Sequence, residues 1–320
     1  DLIETNKINQ STLEVMMIVF IGGYLTAGGA NCINMWYDRD IDPIMTRTSK
    51  RPLSVGDITP KKALLFGISI SIIGTLWLLK MANEVAAFWA LFSILFYVFI
   101  YTIWLKRTSV QNIVIGGIAG STPPVIGWAA AEGELELEFS SAHDFIDSIV
   151  NIGGYMPWFM FLLIFLWTPP HFWALALYRS GEYEKVGVPM MPNVKGKGRT
   201  LVEMKIYSIL LILLSLTTPL AFQEKSNWIE LSDLDFNISL AVINSLILSI
   251  WYVLTVWKIN INDENDIMPT ASHSFFVSLT YLAVMFMILV LTSINFVIKG
   301  SIVSTVLVLY IILRKRGEKE

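Results

Sequence analysis

An all-α polytopic membrane bundle, about eight to nine helices around a central cavity, is the fold class this sequence predicts. Three observations carry that expectation. Hydrophobic residues fill 54% of the 320 positions and charged residues only 15%, with a mean hydropathy of +0.60; soluble domains carry about 25% charged residues. The apolar residues are gathered into runs long enough for a hydrocarbon core, which takes about 20 helical residues. The basic residues are confined to alternate loops. A net charge of −3 decides little here, because the charges are segregated by loop.

Taken in order, the runs predict spans at 13–37, 63–81, 85–105, 113–131, 156–178, 204–222, 237–257, 274–292 and 297–313. The first has no charge from Val15 to Tyr37 and gives way to a dense polar loop with Arg39, Arg47, Lys50, Arg51, Lys61 and Lys62. Loop 106–112 carries Lys106 and Arg107, and loop 179–203 carries Arg179, Lys185, Lys195, Lys197 and Arg199. Between these, loop 132–155 has Glu132, Glu134, Glu136, Glu138, Asp144 and Asp147 with no Lys or Arg. An excess of Lys and Arg marks cytoplasmic loops. The expected setting is therefore a multi-pass protein of the cell membrane, or of the inner mitochondrial membrane in a eukaryote, with its basic loops cytoplasmic. One domain is expected over 1–320, with a core at 13–292 and an added C-terminal helix and basic tail at 293–320. Asp1 stands first and the N-terminus falls outside, so a fragment or processed chain lacking an upstream helix is expected. The single cysteine, Cys32, excludes an intrachain disulfide framework and a cysteine-based metal knuckle; it is read as a packing residue.

The charge-dense stretch "NMWYDRDIDPIMTRTSKRP" (34–52) places Asn34, Asp38 and Asp42 at i, i+4 and i+8. On a helix that is one stripe, with Asp40 on roughly the opposite face. Pro43 marks the expected end of the helix. Two carboxylates and an amide oxygen form a hard-oxygen donor set, which suits Mg²⁺, an ion that keeps waters and substrate phosphates in its shell. Arg39, Arg47, Lys50 and Arg51 can meet the remaining phosphate charge. The cluster reads as a Mg²⁺–diphosphate site at the membrane surface. The plainer reading, a solvated loop that only sets topology, explains the Lys and Arg residues but not the aligned carboxylates.

A second cluster lies in "FLWTPPHFWALALYRSGEYEKVGVPMMPNVKG" (165–196). Pro169 and Pro170 are expected to break the helix within the membrane, and His171 follows them. An ionisable residue inside a span is a functional candidate. Two readings stay open for it: a packed histidine bonded to a neighbouring helix, or an imidazole that ligates haem iron or orients a substrate. Tyr178, Arg179, Glu182 and Tyr183 follow at the loop end. The fourth span has its own expected break at Pro123 and Pro124, and its Gly116, Gly117 and Gly120 allow close helix approach. His143 and His273 are read as surface residues, and "EGELELE" as a solvated loop.

These stretches resemble a known family. "NMWYDRDIDPIMTRTSKRPL" is similar to the first Asp-rich motif, N-x-x-x-D-x-x-x-D, of the UbiA-type intramembrane prenyltransferases. "QNIVIGGIAGSTPPVIGWAA" and "PHFWALALYRSGEYEKVGVPMMPNVKG" narrow the resemblance to the haem O synthase (protohaem IX farnesyltransferase) branch, from about residue 15 to 292. The resemblance implies transfer of a farnesyl group from farnesyl diphosphate to the vinyl group of haem b, giving haem O and diphosphate. It implies Mg²⁺ and diphosphate held by Asn34, Asp38 and Asp42, with Arg39, Arg47, Lys50 and Arg51 as cationic partners. Where many relatives carry a second Asp-rich motif, this chain has His171, Tyr178, Arg179 and Glu182, the candidates for the haem acceptor. Lys106, Arg107, Lys195, Lys197 and Arg199 are candidates for its propionates. The lipid bilayer is an implied partner, a downstream haem-modifying enzyme or terminal oxidase a candidate one, and nucleic acid is not expected. The family's first helix, with its Lys-Pro start, is missing from the match, and span 297–313 is additional to it.

Three alternative functions make different demands on the sequence. A sister enzyme acting on a quinone precursor should carry the second Asp-rich motif. A membrane transporter more often places ionisable residues at the midplane of several spans, whereas here, His171 apart, nearly all charges sit at one set of helix ends. A lipid-head-group phosphotransferase would show a Gly-containing aspartate pattern, which this chain lacks.

Overall fold

The structure is a computed structural model describing residues 10–222, 236–262 and 268–293; the expected span 297–313 and the basic tail lie outside them. Among the described residues there is no strand. The longer helices are α1 (Gln10–Tyr37), α2 (Pro60–Met81), α3 (Glu84–Leu95), α4 (Asn112–Ser121), α5 (Pro123–Ala131), α6 (Ala142–Val150), α7 (Met156–Tyr178), α8 (Ser180–Lys185), α9 (Met191–Leu216), α10 (Phe236–Trp257) and α11 (Pro269–Ser293). Among the described residues seven stretches are long and apolar enough to cross a membrane: Ser11–Tyr37, Pro60–Met81, Glu84–Thr108, Asn112–Ala131, Met156–Tyr178, Ile238–Trp257 and Pro269–Thr292. The expected span 204–222 falls on α9 and the short helix Thr218–Ala221; Arg199, Glu203 and Lys205 keep α9 below that threshold.

The chain forms two compact units. One comprises Leu13–Gly153 with Arg179–Gly196; the other comprises Gly154–Tyr178 and the described residues from Lys197 onward. α9 has one residue outside helical geometry, Gly196, at φ 83° and ψ 158°, a conformation glycine reaches at little cost.

In the unit built on α1 to α6 and α8, small residues set the helix contacts. A Cβ placed on Gly29 of α1 would lie 2.8 Å from the Gly67 carbonyl oxygen of α2, and one on Gly74 would lie 2.8 Å from Leu25 Cβ. Without a hydrophobic driving force in lipid, such close backbone approach is what joins helices. Trp77 Nε1 adds a hydrogen bond to the Ile18 carbonyl at 3.0 Å. Asn83 fixes the α2–α3 turn. Its Oδ1 accepts from the Ala86 amide at 2.8 Å, while its Nδ2 donates to the carbonyls of Ala129 (2.6 Å) and Gly133 (2.7 Å). α3 continues as a π-helix over Phe96–Leu105. The expected break before Pro123 is present, and Thr122 Oγ1 caps it by donating to Ala119 O at 2.8 Å. "EGELELE" is a loop, tied by the Leu137 amide to Glu84 Oε2 at 3.0 Å.

In the other unit, α7 runs unbroken through Pro169 and Pro170, which corrects the expected break. Proline removes an amide donor and crowds the preceding turn, but neighbouring helices and hydroxyl side chains can compensate. Here Thr168 Oγ1 donates to Ile164 O at 2.7 Å, and Trp167 Nε1 ties α7 to the Ser278 carbonyl of α11 at 2.9 Å. A hydroxyl ladder joins the other helices: Ser215 to Ser249 at 2.7 Å and Ser249 to Tyr281 at 3.1 Å, with all three buried.

Candidate active site

The C-terminal end of α1 carries the aligned stripe. Regular helix stops at Tyr37, six residues before Pro43. The amides of Asp38 and Asp42 still bond to the carbonyls of Asn34 and Asp38, each at 2.9 Å. Asn34, Asp38 and Asp42 therefore keep their one-turn register beyond the helix end. All three are buried, Asp38 completely. Two apolar anchors in the loop, Ile41 and Met45, are buried too, and Thr48 Oγ1 donates to Asp42 O at 2.8 Å.

A buried carboxylate needs compensation, and cations supply it here. Asn34 Nδ2 donates to Asp38 Oδ2 at 2.9 Å and to Thr102 Oγ1 at 3.1 Å. Lys106 forms an ion pair with Asp38 Oδ2, and Arg107 Nη2 reaches Asp38 Oδ1 at 3.1 Å. Arg51 Nη1 donates to Asp42 Oδ2 at 2.6 Å. Arg107 also forks onto Asp40 with two bonds of 2.7 Å. That guanidinium holds the Asp40 carboxyl below the usual carboxylate range. Burial pushes the Tyr183 phenol up, against the opposing positive charges of Arg47 and Lys106. Arg47 and Lys50 are exposed. Arg39 turns the other way: it donates to Trp36 O at 2.6 Å and lies 5.0 Å over the Trp36 ring.

Could these groups hold a divalent cation? Among the described residues no cluster of three or more His, Cys, Asp or Glu could do so. Asp38, Asp42 and the Asn34 amide oxygen, whose nitrogen is already engaged, make a smaller oxygen set. That fits an ion which takes the rest of its octahedron from water and phosphate. It does not fit a closed structural site.

The second cluster surrounds His171, which is buried. Its ring is stacked between Trp167, 4.1 Å away, and Phe275, 4.5 Å away. Its Nδ1 lies 2.6 Å from Ser278 Oγ, which donates its own proton to Phe275 O at 2.6 Å. Giving Ser278's one proton to Phe275 O assigns the histidine bond as Nδ1–H to Oγ, the neutral tautomer that leaves Nε2 its lone pair. Tyr178 packs edge-on to Phe275 at 5.9 Å. Arg179 and Glu182 pair at 2.9 Å. His143 is 90% exposed in its loop.

Sequence reasoning missed Thr102 and did not pair Lys106 or Arg107 with Asp38. These residues lie about 70 positions from the stripe, Thr102 in the π-helix and Lys106 and Arg107 in the short helix Lys106–Thr108 that follows it, and the π-helix has no composition signal. A π-segment in a helix is itself a frequent mark of a functional site.

Residues 7–279 match the UbiA prenyltransferase family. The chain belongs to that family. This prenyltransferase is 41% identical over 278 residues to the protoheme IX farnesyltransferase of Bartonella tribocorum, covering 87% of this chain and 78% of that one. It is 48% identical over 200 residues to the protein of that name from Symbiobacterium thermophilum, covering 62% and 61% of the two chains. Among solved structures it resembles a digeranylgeranylglyceryl phosphate synthase, with a TM-score of 0.66, 18% identity and coverage of 92% and 90%. It also resembles a UbiA homologue from Archaeoglobus fulgidus bound to DMAPP and Mg²⁺, with a TM-score of 0.57, 15% identity and coverage of 89% and 90%. The likeness to the two structures concerns the fold. With seven stretches fit to span a bilayer, this prenyltransferase is an integral membrane protein.

Proposed function

We propose that this prenyltransferase moves a farnesyl group from farnesyl diphosphate to a vinyl group of haem b, yielding haem O and diphosphate. The observation that carries the chemistry is the buried stripe of Asn34, Asp38 and Asp42 with cations on both carboxylates. The names of two similar curated relatives support the choice of donor and acceptor. Mg²⁺, held by Asp38, Asp42 and the Asn34 amide oxygen, would supply charge neutralisation at the leaving diphosphate.

The protein's own groups do the remaining work in this reading. Lys106, Arg107 and Arg51 sit on the carboxylates and are placed to turn onto phosphate oxygens. Arg47 and Lys50, exposed on the same loop, extend the cationic surface. The allylic C–O bond breaks with its electron pair leaving on diphosphate, a charge these cations stabilise. The vinyl carbon forms the new C–C bond, water adds to the resulting cation, and one proton is released. His171, with its Nε2 lone pair, is assigned to the haem acceptor, together with Tyr178, Arg179 and Glu182. Arg39 is not needed for this chemistry. The loops carrying the site are assigned to the cytoplasmic side of the membrane on their Lys and Arg content.

The test is incubation of purified protein with haem b, farnesyl diphosphate and Mg²⁺, read by mass spectrometry of the haem. A gain of one farnesyl group and one hydroxyl group is expected. An unchanged haem alongside prenylation of an aromatic quinone precursor offered in parallel would overturn the acceptor assignment.

A further inference from the structure

A cavity of about 420 Å³ opens between α1, α2 and the α3–π helix. Its wall is apolar, including Trp36, Leu64, Ile68, Leu76, Phe99 and Ile103. Two hydroxyls also line it, but both are turned back onto their own helix. Ser71 Oγ donates to Gly67 O at 2.8 Å and Thr75 Oγ1 to Ser71 O at 2.9 Å. The wall therefore offers an occupant methyl and aromatic surface only.

Two features separate this groove from the carboxylate site. Trp36 stands two residues from both Asn34 and Asp38, about 200° around the helix. The groove is thus on the opposite face of α1 from the stripe. Its charge is also different. Arg39 lies over Trp36 at one end of the groove and, among the described residues, has no carboxylate partner. Lys61 is exposed, three residues before Leu64 and seven before Ile68, on the groove face of α2. No ion pair among the described residues engages either cation.

The dimensions point to an occupant. From Leu64 to Leu76 is twelve helical residues, about 18 Å at 1.5 Å per residue. One leaflet of a 30 Å hydrocarbon core is about 15 Å deep. We propose that the groove binds a single anionic phospholipid, with an acyl chain along α2 and its phosphate between Arg39 and Lys61. Basic residues beside a hydrophobic span attract anionic lipid headgroups through the surface charge of the leaflet. The apolar wall supplies the chain site.

Purified protein in detergent, titrated with phosphatidylglycerol and phosphatidylcholine and read by native mass spectrometry, tests this. One phosphatidylglycerol should be retained per chain, at least fivefold more tightly than phosphatidylcholine. Ile68→Trp should fill the groove and abolish retention of both. Lys61→Ala, an exposed change, should keep the fold and lose most of the preference between them. Equal retention of the two lipids by the wild-type protein, or a preference untouched by Lys61→Ala, would overturn the proposal. So would a groove-filling variant that instead loses bound isoprenoid diphosphate, or one that turns a dimer into a monomer.

Discussion

Asp38→Asn tests the electrostatics of the site most directly. The Asp38 side chain is fully buried, while those of Lys106 and Arg107 are 19% and 29% exposed. Removing one partner of a buried ion pair costs about 3–5 kcal/mol, because the other charge is left uncompensated. Here the cations are partly wet and Arg107 keeps Asp40, so the lower end, about 3 kcal/mol, applies. At about 2–4 °C per kcal/mol for a domain of this order, the apparent Tm in detergent should fall by about 6–12 °C. The double variant Asp38→Asn/Lys106→Met removes the stranded charge with it. It should recover about half of that loss, roughly 1.5 kcal/mol, and the coupling energy is that recovery plus the cost of Lys106→Met alone. Turnover should be lost in both, since neither has the carboxylate. Thermal melts of the four proteins in one detergent give the cycle. A single variant melting within a degree of wild type, or strict additivity in the cycle, would refute the buried-pair reasoning. Full activity in Asp38→Asn would sink the role given to Asp38 in holding metal and diphosphate.

Further outcomes are expected. Gly29→Ala forces a methyl to 2.8 Å from the Gly67 carbonyl oxygen and should cost about 1–3 kcal/mol through overpacking. Gly23→Ala, six residues earlier with no atom within 4 Å, should melt like wild type. Asn83→Ala removes a helix cap and two bonds to the backbone at the end of α5 and the loop after it, and should cost about 2 kcal/mol, seen in the same melts. His171→Phe keeps a ring between Trp167 and Phe275 but removes Nε2; haem conversion should fall at least tenfold while farnesyl diphosphate binding, measured by isothermal titration, is unchanged. Chelation with EDTA should stop turnover without lowering the Tm, and added Mg²⁺ should restore it, because the apo carboxylates already have cation partners.

Much of this molecule was legible from local patterns. A run of about twenty apolar residues has few choices in a bilayer, since every backbone amide must be satisfied within the segment. The spans at 13–37 and 156–178 therefore fall close to their helices. The stripe of Asn34, Asp38 and Asp42 was legible too, because helical period is a property of sequence spacing. Helix ends were less so. Proline at 169 and 170 reads as a break from local sterics, yet α7 continues, because Thr168 and the contact with α11 compensate.

The sequence by itself determined that the chain crosses a membrane, that carboxylates align at the end of α1, and which family it resembles. Those properties depend on hydropathy, period and motif, all read over a few tens of residues. Only the tertiary structure decided that Lys106, Arg107 and Thr102 complete the stripe, that Arg39 turns away onto Trp36, and that His171 sets Nδ1 against the Ser278 hydroxyl. Each of the long-range pairings joins positions far apart in the chain. Which distant cation meets a buried carboxylate is settled by helix packing and by the pitch of a π-segment, and neither leaves a local mark in the sequence.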